Sequence, residues 1–112
     1  MNILFADKKL SKNCSDEKLA ARTWGQRTPK VRQRLDEFRA ADSLWDIAQL
    51  PSPRLHPLKG DRLGQFAVDV LHPFRIIFEP IGVKSDIRDQ QGNWNLRQIK
   101  TIRILEIINY HD

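Results

Sequence analysis

A change of hydrophobic period near the middle of the chain governs what this sequence can fold into. Val31, Leu35 and Phe38 recur at spacings of four and three, the mark of one apolar helix stripe. From residue 66 onward the period falls to two. Phe66, Val68 and Val70 alternate with Ala67 and Asp69, and Phe74, Ile76 and Phe78 alternate with Arg75, Ile77 and Glu79, as half-buried strands require. A helical first half and a strand-rich second half predict an α+β fold. An N-terminal helical hairpin should pack on a four- to five-stranded, mainly antiparallel sheet.

Local signals place the elements. Asn2 to Phe5 reads as a short first strand, and Asp7 caps a helix running from Lys8 to about Thr23, ended by Gly25. Thr28 before Pro29 starts the second helix, on which Arg32, Arg34 and Arg39 are expected to point away from the apolar stripe. Residues 42 to 53 form a connector with a helical turn, broken by Pro51 and Pro53. Leu71 to Pro73 reads as a hairpin connection. Residues 99 to 108 are apolar on both alternating sets, with Ile102, Ile104 and Ile108 on one and Leu105 and Ile107 on the other, which predicts an interior strand covered on two sides. The polar stretch between Ile81 and Gln98 is long for a connection, and should be either mobile or used for contact.

At 112 residues the chain is expected to form one domain spanning 1–112. It contains no apolar run long enough for a membrane span and no secretory leader pattern, so a soluble cytoplasmic protein is expected, with no membrane partner. Its single cysteine, Cys14, can make neither an internal disulfide nor a thiolate metal cage, and reads as an inert helix residue. The net charge of +5 is unevenly placed. Residues 1 to 40 hold ten Lys/Arg against five acids, whereas the remainder holds nine of each. Such a field attracts nucleic acid or an acidic protein, with Lys30, Arg32 and Arg34 as candidate RNA contacts; a solvated helix face is the other reading.

Signature-dependent chemistries are absent. The five glycines never make a phosphate-binding loop, and His56, His72 and His111 lack metal-ligand spacing, so neither a cofactor nor a metal is expected. No serine sits in a nucleophile elbow. What remains is a polar concentration at strand ends: His56, Lys59, Asp61, Arg62, Arg75, Tyr110 and His111. Metal-free RNA cleavage needs such groups: a base for the 2′-OH proton, cations for the phosphoryl oxygens and an acid for the leaving 5′ oxygen. Structural roles compete with this reading, since Arg75 could simply pair with Glu79 or Asp69. Geometry also raises a difficulty. In a regular strand His56 and Lys59 would face opposite ways, unless Pro57 interrupts the ladder.

The run Leu55-His56-Pro57-Leu58-Lys59-Gly60-Asp61-Arg62, then Gly64-Gln65-Phe66, then His72 to Pro80, with a closing Asn109-Tyr110-His111 and an opening Phe5 to Leu10, resembles the HigB or "proteic killer" branch of the RelE/ParE toxin superfamily. The resemblance implies a RelE-like fold and the toxin of a bacterial type II toxin–antitoxin pair. Such a toxin is a ribosome-dependent endoribonuclease that cleaves mRNA without metal. It also implies as partners the ribosome, mRNA and a cognate antitoxin that usually carries a helix-turn-helix, with operator DNA reached only through that antitoxin. By similarity the catalytic residues are His56, Lys59, Arg75, Tyr110 and His111, and Arg62 is a phosphate contact. Two rivals share the fold: a gyrase poison of the ParE type, and a decayed toxin retained as a nucleic-acid-binding co-repressor.

Overall fold

The computed structural model describes residues 1–110. Strand β1 (Asn2–Phe5) leads into helices α1 (Lys8–Ser15), α2 (Glu17–Trp24), α3 (Thr28–Ala40) and α4 (Leu44–Ala48). Strands β2 (His56–Pro57), β3 (Phe66–Asp69) and β4 (Phe74–Pro80) follow, then the short helix α5 (Lys84–Ile87) and strand β5 (Thr101–Asn109). One five-stranded sheet runs in the order β1-β5-β4-β3-β2, antiparallel except for the β1–β5 pair. The α+β architecture is thus the expected one, with β5 interior to the sheet.

The helices cover one face. Val31, Leu35 and Phe38 from α3 meet Phe66, Val68, Ile76 and Phe78 from the sheet, and the Phe38 and Phe78 rings stand edge to face at 5.1 Å. Each such fully buried side chain contributes roughly 1.5–3 kcal/mol of apolar burial. Cys14 joins this core, and burial pushes its thiol up to about 11 against the weaker opposing pull of Arg39.

Four local expectations are corrected. The first helix is two helices, because the Asp16 carboxylate accepts from the Lys18 and Leu19 amides and restarts the helix at extended backbone. Thr28 is the first residue of α3 rather than its cap, and its hydroxyl donates instead to the Ala20 carbonyl at 3.2 Å. Arg34 does not point away from the apolar stripe: only 2% of it is exposed. In β5, Ile102, Ile104 and Ile107 are buried in the helix-side core, while Ile108 packs on the other face with Leu105. The phase changes because the β4–β5 register slips between Ile77 and Phe78, which leaves Leu105 as an extra residue in a β-bulge.

The polar stretch after β4 is built into the core. Ile87 is buried, Trp94 stands edge-on to Phe66 at 5.1 Å, and the bridge between Arg88 and Trp94 closes the segment. Asp89 orders its turn by accepting from the Gln91 and Asn93 amides. Among the described residues no helix is long and apolar enough to cross a membrane.

Candidate active site

The sheet face turned away from the helices carries the polar groups. Residues directly opposite in a ladder share a face. The pairings His56 with Ala67, Ala67 with Ile77, and Ile77 with Glu106 therefore put His56 and Glu106 on one side. The pairings Asp69 with Arg75 and Arg75 with Ile108 add two more charged groups there. A small apolar floor of Leu58, Ala67 and Ile77, flanked by Leu105, Ile108 and Tyr110, lies between them.

His56, Lys59 and Tyr110 line one cavity of about 500 Å³, with Pro57, Leu58 and Gly60. The parity difficulty disappears because β2 is two residues long. The chain leaves the ladder at Leu58, and Lys59 stands in extended backbone ahead of a 3-10 turn over Gly60–Arg62. Gly60 takes φ +61, a left-handed conformation that glycine adopts without a Cβ penalty.

Hydrogen bonds orient these groups. The His56 Nδ1–H donates to the Arg54 carbonyl at 2.8 Å. A carbonyl only accepts, so in the neutral ring Nε2 is the basic nitrogen. Arg54 itself sits at φ +50, an uncommon conformation for a side-chain-bearing residue. Its Nε and Nη2 grip Asp69 at 2.7 and 3.2 Å, while Arg75 Nε donates to Asp69 Oδ1 at 3.1 Å. Burial works against the Asp69 charge, but the Arg54 hydrogen bond and the positive fields of Arg54, Arg75 and His56 outweigh it and hold the carboxyl below its usual range. On the opposite flank Arg62 lies 5.3 Å from the Tyr110 ring centre, its guanidinium tied to Gln65 and to Glu106.

The predicted residues therefore separate into groups. His56, Lys59 and Tyr110 share the cavity, Arg62 holds its aromatic wall, and Arg75 is linked to it through Asp69 and Arg54. Of the two partners weighed for Arg75, Asp69 takes its Nε. His111 lies outside the described residues. Lys30 and Arg32 are on α3; Arg32 is paired with Glu17 at 3.1 Å. Arg34 cannot serve as an exposed RNA contact, since it is buried and its three nitrogens donate to the Asp69 carbonyl, Glu37 and Ser52. Arg54 and Glu106 escape a reading of the sequence alone, which shows Asp69 only as a partner open to Arg75. Glu106 has a signal, a carboxylate within the apolar run of β5; Arg54 has none.

Among the described residues no group of three His, Cys, Asp or Glu side chains could hold a metal ion. The arrangement places the His56 imidazole, its Nε2 buried, with an exposed ammonium and an aromatic ring around one apolar-floored cleft, with guanidinium groups on both flanks. No family model matches the chain, and no curated protein matches it in sequence. Solved structures do match its fold. A YoeB/ParE toxin from Agrobacterium tumefaciens superposes with a TM-score of 0.58 at 12% identity, over 99% of this chain and 100% of that one. A YoeB–YefM complex from Staphylococcus aureus gives 0.53 at 16% identity, over 100% and 98%. The chain thus has the fold of the YoeB/ParE toxins.

Proposed function

We propose that this protein is the toxin of a type II toxin–antitoxin pair, of the HigB branch, and that it cleaves ribosome-bound mRNA without metal. One observation carries the reading: Tyr110, distant along the chain from His56 and Lys59, lines a single cleft with them. His56 or His111 takes the proton from the ribose 2′-OH, whose oxygen attacks phosphorus as the bond to the 5′ oxygen breaks. The other group returns a proton to that leaving oxygen. Lys59, Arg62 and Arg75 stabilise charge on the phosphoryl oxygens, and the Tyr110 ring stacks on a base. The fold likeness to a YoeB–YefM complex supports a partner protein, which we assign as a cognate antitoxin.

Primer extension of ribosome-bound message after brief induction tests the proposal. Wild type should produce new 5′ ends; Lys59→Ala and His56→Ala should reduce them about 100-fold or more at equal expression, with growth arrest relieved. Intact message beside a wild-type toxin that blocks DNA supercoiling would replace this reading with the gyrase-poison one, which the ParE name of the Agrobacterium neighbour keeps relevant.

A further inference from the structure

A second cavity, of about 360 Å³, opens at the β3–β4 hairpin end, and neither the nuclease reading nor the resemblance uses it as a unit. Lys30, Arg34, Ser52, Asp69, His72 and Arg75 contribute to its lining. Three cationic side chains, Lys30, Arg34 and Arg75, thus line it with the Asp69 carboxylate, which Arg54 and Arg75 engage, and Arg34 is paired in addition with Glu37 at 2.9 Å. Arg34 is 2% exposed, so its charge is held in a medium that screens poorly. It is fixed by donating to the Asp69 carbonyl at 2.7 Å, to the Ser52 hydroxyl at 3.0 Å and to the Glu37 carboxylate at 2.9 Å, which offsets part of its charge. Lys30 donates to the neutral amide oxygen of Gln33 at 3.0 Å, which leaves its charge uncancelled by that hydrogen bond.

Two chains of hydrogen bonds link the cavity's wall to the cleft's. Asp69 lines the second cavity and grips Arg54, whose carbonyl orients His56 in the first. Pro73 also lines the second cavity, and its carbonyl accepts from the backbone amide of Tyr110, which lines the first.

We infer that the hairpin-end cavity is a second phosphate subsite, which binds an RNA phosphodiester flanking the scissile one through Lys30 and His72, beside the buried Arg34 and with Arg75 between the two phosphates. The inference rests on the RNA-directed reading of the adjacent cleft and deepens it. It makes the bound length of RNA a property of the hairpin end, with Lys30 and His72 as binding rather than catalytic residues.

A fully 2′-O-methylated RNA hexanucleotide, which has no free 2′-OH and cannot be cleaved, separates binding from chemistry. Its affinity is to be measured against salt for wild type, Lys30→Gln and His72→Gln. In Lys30→Gln the loss of a cation should lower the log–log salt slope by up to about 0.7, and in both variants affinity at low salt should fall several-fold. In wild type, the Nε–H resonances of Arg34 and Arg75 should move on saturation with the hexanucleotide. Thermal melts of both variants matching wild type would confirm that the substitutions leave the fold intact. An unchanged slope and affinity in both variants, or unmoved Arg34 and Arg75 resonances, would overturn the subsite while leaving cleavage by the neighbouring cleft standing. A Lys30-dependent slope in a protein that cuts no message would retain the subsite and sink the nuclease assignment. Failure of wild type to bind the hexanucleotide at low salt would overturn the subsite outright.

Discussion

Asp69 joins more of the site than any catalytic candidate does. Its backbone carbonyl holds Arg34, its carboxylate holds Arg54 and Arg75, and its amide donates to the Pro53 carbonyl at 2.7 Å. Its depressed pKa means that the stabilisation from these pairs is present above the ordinary value of 3.8 and is lost as pH falls through the lower folded value. Asp69→Asn should therefore cost roughly 1–3 kcal/mol at neutral pH, where the charge is removed from a cluster of arginines. Denaturant melts at pH 7 and pH 3 check this: the gap between variant and wild type should narrow at the lower pH. Arg34 shows how charge can mislead a reading of spacing. It stands three residues after Val31 and four before Phe38, which puts it on their face of the helix, and only its full set of acceptors explains why a guanidinium is tolerated there. His56 and Lys59 are identifiable by side-chain chemistry, but Arg54 acts through a backbone carbonyl and a left-handed φ, neither of which side-chain type reports.

The helices and strands follow local patterns except where a polar side chain or a register slip intervenes. The break between α1 and α2 rests on the Asp16 carboxylate, which accepts two amide hydrogens at 2.9 and 3.1 Å. Replacement by alanine should cost about 1 kcal/mol, read as a lowered melting temperature with little change in helical circular dichroism. The bulge at Leu105 has wider consequences than the helix break. Without the extra residue, the residues after it would change faces, and Ile107 would leave the core. Instead the slip keeps Ile107 buried and sets Glu106 opposite Ile77, from where it holds Arg62 beside Tyr110. An alternating count along β5 cannot place such a slip, because β5 is apolar on both sets and the pairing with β4 decides which residue is left over.

Across the whole molecule, charge and sheet order work together. Lys8, Lys9 and Lys12 line an open surface on α1, part of the basic excess of the first 40 residues. If that surface meets ribosomal RNA, replacing all three by glutamine should flatten the salt dependence of ribosome binding by roughly 0.7 for each phosphate no longer neutralised, measured between about 50 and 200 mM salt; an unaltered slope would remove that role. The period change, the hairpin after β3, the capped first turn and the polar residues suited to phosphate chemistry are all legible in the linear chain, because each depends on neighbours a few positions away. The meeting of His56, Lys59 and Tyr110 is not. It requires β2 to end after two residues, which Pro57 foreshadows, and β5 to lie against β4 in a shifted register, which is settled by packing between separate strands where no local spacing carries the information.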